Sequence, residues 1–206
     1  MTKWEIEQGL FDQGIHLVCG ADEAGAGPLA GPVYAAAVIL PVGLELPWLN
    51  DSKQVTEKRR DILFEQIKEQ AVAWAIACVE ATEIDEIDIL NARMKAMQMA
   101  IDLLDPKPDF ALIDGNRDHG SKCWIETAHQ TVVKGDSLSA NIAAASILAK
   151  VSRDRKMDEL DKEYPGYGFA KHKGYGTKAH YEALDRLGPC PIHRNSFLAK
   201  WREKKG

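Results

Sequence analysis

Apolar residues along the chain fall into short blocks separated by polar, glycine-rich or proline-rich breaks. The period within a block is either 2 or about 3.6, so strands and helices are interleaved. Residues 16–20 read as a short strand running into Asp22, and 33–40, rich in Ala, Val and Ile, reads as a second. Pro41, Gly43 and Pro47 then break regular structure. The polar run Leu49-Asn50-Asp51-Ser52-Lys53 precedes a helix expected over 57–70. Residues 71–79 alternate as a strand does, with Val72, Trp74 and Ile76 on one face. From Thr82 the period changes. Ile84, Ile87, Met94, Met97, Ile101 and Leu104 follow one long helix that Pro106 and Pro108 end, with Thr82 and Asp85 as a capping pair at its start. The methionines at 94, 97 and 99 are core filling rather than a ligand box.

Strands over 110–113 and 127–133 close on Asp114-Gly115-Asn116 and Lys134-Gly135-Asp136. A helix over 142–160 is Ala-rich first and charged later. Beyond Tyr164-Pro165-Gly166 the composition shifts to Gly, Lys, His and Tyr as far as Gly176. A short helix over 178–187 follows, with Thr177 as its cap and Gly188-Pro189 as its stop. The order predicts an α/β domain over 14–163 with a small basic helical module over 164–206.

Composition narrows the class. The chain has 206 residues, 45% of them hydrophobic, and no apolar run long enough to span a bilayer. Residues 1–13 lack a signal-peptide core, and the four cysteines form no CxxC pair, so a zinc site is not expected. Reduced thiols in a cytoplasmic protein, with no membrane association, is the expectation. The net charge of -5 hides an asymmetry: from Lys150 onward 14 Lys/Arg face 8 Asp/Glu. A basic C-terminal surface beside an acidic centre suits a phosphate backbone.

The candidate chemistry lies in that acidic centre. Asp22 and Glu23 are adjacent and run straight into a glycine-rich loop, Gly25 to Gly31. Like charges side by side repel unless a cation stands between them, and hard divalent ions prefer carboxylate oxygens. Asp114 and Asp136 share the same context at the ends of apolar strands, where ligands of open α/β sheets collect. Four acids delivered to one sheet edge would hold Mg2+ or Mn2+ for hydrolysis of a phosphodiester. Successive strand residues point to opposite faces, so Asp22 and Glu23 reach one cluster only if the strand distorts or ends there. Taken singly, Asp114-Gly115-Asn116 also reads as an ordinary turn, Gly135-Asp136-Ser137 as a helix N-cap region, and Asp51 as a cap. Other loop chemistry is absent: Gly25-x-Gly27-xxx-Gly31 is neither GxGxxG nor a P-loop, and no Ser/His/Asp order is readable. Ser146 falls inside the Ala-rich helix as a packing residue.

Together the segments resemble ribonuclease HII, the bacterial type 2 ribonuclease H. They are Asp22-Glu23-Ala24-Gly25 with Gly27-Pro28-Leu29-Ala30-Gly31-Pro32-Val33, then Leu49 to Lys53, Ile113 to Asn116 and Lys134 to Asp136. Ala143 to Val151 with Arg153-Asp154, His172 to Thr177 with His180, and His193-Arg194 with Ser196-Phe197 complete the series in order. The resemblance implies a ribonuclease H-like mixed sheet flanked by helices, with a small C-terminal helical extension. It implies cleavage of the RNA strand of RNA–DNA hybrids and incision 5' of ribonucleotides embedded in duplex DNA, leaving 3'-hydroxyl and 5'-phosphate ends. Asp22, Glu23, Asp114 and Asp136 then correspond to catalytic carboxylates holding two divalent cations, Mg2+ or Mn2+. Gly25, Ala26 and Gly27 correspond to the loop that senses a 2'-hydroxyl, Lys53 to a phosphate contact and Tyr175 to a tyrosine packing on the adjoining sugar. Tyr175 among Lys171, His172 and Lys173 also reads as a stacking platform, or as a core tyrosine under the short helix. The expected partners are RNA–DNA hybrid and ribonucleotide-containing duplex; no stable protein partner is implied, and a monomer is expected.

One position departs from the pattern. The family loop is usually Gly-Arg-Gly or Gly-Lys-Gly, and here it is Gly25-Ala26-Gly27. Ala26 keeps its backbone groups but brings no cation, so weaker grip on a single ribonucleotide is expected. A silent hybrid-binding module, another nuclease of the same fold and an enzyme of small phosphorylated metabolites are the competing readings.

Overall fold

The structure is a computed structural model, and it describes residues 3–49 and 55–203. The elements are α1 (Glu5–Phe11), β1 (Val18–Ala24), β2 (Val33–Ile39), α2 (Glu57–Gln70), β3 (Ala73–Val79), α3 (Ala81–Ile87) and α4 (Ile89–Asp102). There follow β4 (Phe110–Asp114), β5 (His129–Val132), α5 (Gly135–Leu138), α6 (Ala140–Glu163), α7 (Phe169–His172), α8 (Lys178–Leu187), a 3-10 turn (Asn195–Leu198) and α9 (Ala199–Glu203). The strands form one mixed sheet in the order β3-β2-β1-β4-β5. β1, β2 and β3 pair antiparallel, while β1 with β4 and β4 with β5 pair parallel.

The apolar run of β2 is continuous because both of its faces are covered. Val33, Ala35, Ala37 and Ile39 join Met94, Met97 and Ile101 of α4 in one core. Ala36 and Val38 join Leu63, Phe64 and Ile67 of α2 and the Ala-rich start of α6 in the other. α6 lies directly on β1 because residue 20 is Gly. A Cβ there would stand 2.2 Å from the backbone nitrogen of Ile142.

Several sequence expectations change. The helix expected from Thr82 to Leu104 is two helices, because Asp88 takes φ 68 between them and its side chain accepts from Asn91 N to start α4 anew. Thr82 and Asp85 form no cap. Glu80 precedes α3, and Asp85 instead accepts from the backbone N–H groups of Asn195 and Ser196. In β3 the Trp74 and Ile76 face is the half-exposed one, while Ala73, Ala75, Ala77 and Val79 face the core. α1 has no counterpart in the sequence reading. It seats Leu10 against Val18, Leu112, Val132 and Ile142 and buries Glu7, which accepts from Ser139 Oγ at 2.6 Å. No described helix is long and apolar enough to cross a membrane.

Candidate active site

β1 does not end before its acids. It stays paired with β2 through Asp22, Glu23 and Ala24, whereas its parallel pairing with β4 stops at Ala21. The strand is regular, and its edge toward β4 is open at the two acids. Alternation then places the carboxylates. Gly20 packs on α6, so Asp22, two residues on, faces α6; Cys19 and Ala21 pack with α4, and Glu23 follows them. The expected distortion is absent, and the pair flanks the sheet edge from both sides of one cavity. That cavity, about 310 Å³, is also lined by Asp114, Asp136, the Gly25-Ala26-Gly27 loop and Tyr175.

The parallel register carries Asp114 to the level of Asp22, since Ala21 lies across from Ile113. Asp136 arrives from the first turn of α5. Gly135 N donates to Asp114 Oδ1 at 2.8 Å, which ties the ends of β4 and β5 together. Lys3 Nζ donates to the Asp136 carbonyl at 2.8 Å, so the N-terminal segment braces this turn. Glu23 Oε1 pairs with Arg93 Nη2 of α4 at 2.6 Å. Asp22 Oδ1 accepts from the Glu23 N–H at 2.7 Å.

Electrostatics follow from this crowding. Burial, then the charges of Glu23 and Asp114, hold the Asp22 carboxyl well above the ordinary carboxylate range. Burial also raises Glu23, against the lowering effect of Arg93. Glu23 Oε2 is buried and has no hydrogen-bond partner among the described residues. An orphaned carboxylate oxygen among repelling acids is what a hard divalent cation satisfies, so these residues fit one. Among the described residues no three or more acid, His or Cys side chains stand close enough together to hold a metal ion as they are now arranged. One oxygen each of Asp22, Glu23 and Asp114 is engaged by protein donors, which leaves an open site of the kind that substrate oxygens complete.

The glycine loop is pinned rather than loose. Arg153 of α6 donates to the carbonyls of Pro32 at 3.0 Å, Lys173 at 3.0 Å and Ala30 at 3.3 Å. Gly25 has φ +95, and a Cβ there would lie 1.9 Å from Arg153 Nε. Gly27 faces open space, with Tyr175 Cε1 3.7 Å from where a Cβ would be. Tyr175 is 45% exposed at the cavity rim, not a core tyrosine, and the Arg153 guanidinium lies 5.9 Å from its ring centre. His172 and Lys173 do not join it on the surface. His172 donates from Nε2 to the Tyr167 carbonyl and stacks on His180, and Lys173 pairs with Asp158. Lys53 lies outside the described residues.

Sequence reasoning gave no role to Arg93, nor to Lys150, Arg153 and Arg194, although these three lie in the segments that carry the resemblance. Arg93 carried a signal, a cation on the helix that packs Ala92, Met94, Ala96 and Met97. Lys150 lines the cavity and pairs with Asp154 at 2.7 Å. Ser146 also reaches the cavity, but its hydroxyl donates to the Ala143 carbonyl within the helix.

A family model described as Ribonuclease HII matches residues 19–200. A Ribonuclease HII of Endomicrobium trichonymphae is 54% identical over 195 residues, covering 94% of this chain and 91% of the relative. One of Geobacter sulfurreducens is 50% identical over 194 residues, covering 94% and 88%. The crystal structure of the ribonuclease H2 from Pyrococcus horikoshii OT3 matches with a TM-score of 0.73 at 26% identity, covering 92% of this chain and 98% of that one.

Proposed function

This chain belongs to the ribonuclease HII family, and we propose that its four cavity carboxylates form the hydrolytic centre. The protein is a metal-dependent endoribonuclease of RNA–DNA hybrids. The finer reading is that Asp22, Glu23, Asp114 and Asp136 hold two divalent cations, Mg2+ or Mn2+, and that a single ribonucleotide within duplex DNA is incised on its 5' side. The observation that carries it is the convergence of Asp22 and Glu23, from opposite faces of one strand, on a cavity also lined by Asp114 and Asp136.

When bound, the cations would supply Lewis-acid stabilisation of the phosphodiester and a nucleophile at neutral pH. The protein supplies the rest. The carboxylates provide the hard oxygens, Arg93 opposes the burial that raises the Glu23 carboxyl, and Gly135 fixes Asp114 through its N–H. Water adds to phosphorus, the bond to the 3'-oxygen breaks, and the proton ends on that oxygen, which gives 3'-hydroxyl and 5'-phosphate ends. The peptides of Gly25, Ala26 and Gly27 face the sugar, Tyr175 stacks beside it, and Lys53 keeps the phosphate contact implied by its sequence position. In this reading residues 14–163 carry the chemistry and 164–206 grip the duplex. Ala26 leaves that grip short of a cation, so long hybrids, which offer many registers, are cleaved better than single ribonucleotides.

The deciding assay incubates a duplex with one ribonucleotide, a long RNA–DNA hybrid and an all-DNA duplex with Mg2+ or Mn2+, beside an Asp22→Asn control. Metal-dependent cuts confined to the ribonucleotide-containing substrates and absent from the control are expected. Cleavage of the all-DNA duplex would assign a different nuclease of this fold, and salt-dependent binding without cleavage would assign a silent module.

A further inference from the structure

The glycine loop owes its orientation to a side chain 168 residues away. Arg194 is fully buried. Its backbone runs along the far end of the loop: Arg194 N donates to the Leu29 carbonyl at 2.8 Å, and Gly31 N donates to the Ile192 carbonyl at 2.8 Å. Its guanidinium turns back beneath the loop. Nε donates to the Gly31 carbonyl at 3.0 Å, Nη1 to that of Ala26 at 3.0 Å and Nη2 to that of Gly25 at 2.7 Å. Arg153 braces Ala30, Pro32 and Lys173 but donates to neither Gly25 nor Ala26.

A trans peptide carries its N–H opposite its C=O. Drawing the carbonyls of Gly25 and Ala26 down onto Arg194 therefore turns the N–H groups of Ala26 and Gly27 the other way, in a loop that forms a wall of the carboxylate cavity. Among the described residues these two N–H groups have no backbone acceptor. A guanidinium on the carbonyl side polarises both peptides and makes each N–H a stronger donor than in a neutral turn. Burial, and then the nearby charge of Arg153, lower the pKa of Arg194 to about 9, which leaves it a cation at neutral pH. Residue 26 is Ala, so the loop reaches the substrate through its peptides and not through a side-chain charge.

We infer that Arg194 is a positioning residue for substrate choice: it presents the N–H groups of Ala26 and Gly27 as a donor pair for an oxygen of the ribose, or of its phosphate, beside the cleaved bond. The inference rests on the nuclease reading above. Lysine at 194 would keep the charge but not the planar fork that spans three carbonyls.

Two measurements test it. In the first, kcat/KM of the wild type and Arg194→Lys is compared on a single-ribonucleotide duplex and on a long hybrid. The variant loses about tenfold or more on the single ribonucleotide, the scale of one charge-assisted hydrogen bond, and much less on the hybrid. General destabilisation would lower both alike. The second uses wild-type protein labelled with 15N, with Ca2+ at a level giving no turnover. The amide signals of Ala26 and Gly27 shift on addition of the single-ribonucleotide duplex and not with an all-DNA duplex of the same sequence. This arm decides alone if the variant does not fold or single-ribonucleotide turnover is below detection. Equal losses on both substrates, or amide signals that respond equally to both duplexes, overturn the role of Arg194 and leave the nuclease reading intact. Wild-type protein that cleaves neither substrate with any divalent metal overturns the nuclease reading itself.

Discussion

Arg93 Nη2 stands 2.6 Å from Glu23 Oε1, while the other oxygen of the same carboxylate, Oε2, is buried with no partner among the described residues. The ion pair occupies one oxygen of Glu23 and leaves the other for a ligand. Removing Arg93 removes the main influence that lowers the Glu23 pKa. The acid limb of the pH–rate profile of Arg93→Ala is expected to move upward. Superimposable profiles for variant and wild type would refute this.

Asp22→Asn separates stability from activity. The Asp22 carboxyl is raised in the folded state above its ordinary 3.8, so the folded protein binds the proton more tightly than the unfolded chain. Its contribution to stability is complete below the unfolded value and is lost as pH rises through the folded one. In EDTA, thermal melts from pH 4 to 8 should show Asp22→Asn gaining on the wild type as pH rises. Divalent cation should stabilise the wild type more than the variant, and cleavage by the variant should drop by about a thousandfold or more. A pH-independent difference between the two melts would count against the buried, repelling pair.

The two glycines flanking Ala26 should respond differently. A Cβ on Gly25 meets Arg153 Nε at 1.9 Å with φ at +95, whereas one on Gly27 meets nothing closer than 3.7 Å. Gly25→Ala is expected to cost about 3 kcal/mol or more in urea denaturation. Gly27→Ala should unfold within about 0.5 kcal/mol of wild type and show its defect in KM.

Ala26→Arg restores a cation beside the substrate. At about 1.5–3 kcal/mol for a hydrogen bond to a charged group, single-ribonucleotide incision should rise by roughly one to two decades, with a smaller gain on long hybrids. Equal rates on the single ribonucleotide would remove residue 26 from the account of specificity.

His180 and His193 set an acid limit on the C-terminal segment. Their Nε2 atoms lie 3.0 Å apart, so one must be unprotonated to accept. Burial lowers the His180 pKa from 6.5 to about 4, and burial lowers His193 as well. A lowered folded value means that stability is present above 6.5 and is lost as pH falls toward 4. The melting temperature should drop across that window, and His180→Gln should flatten the drop. An unchanged slope in the variant would place the acid sensitivity elsewhere.

Local pattern was enough to locate α2 and α8 at their ends and to put Asp114 at the end of β4, whereas Asp22 lies inside β1 and Asp136 in the first turn of α5. An element's period, its cap residue and its stop residue are written within a few positions of one another, as Thr177 and Gly188 are around α8. The sequence also determined the family, through motifs spread from Asp22 to Phe197. It did not determine how Asp22 and Glu23 meet in one cavity: alternation argued for a broken strand, and the structure keeps the strand intact by ending its pairing with β4 one residue before Asp22. Nor did it predict the break at Asp88, where the apolar period runs on while the backbone turns. Least legible was the loop, whose glycines suggested freedom but whose carbonyls are held by Arg153 and Arg194 from more than 120 residues away. A side chain that bonds distant backbone leaves no periodic trace. Its partner is chosen only when α6 and the C-terminal segment pack against the loop, and that packing fixes which way the peptides of Gly25 and Ala26 face.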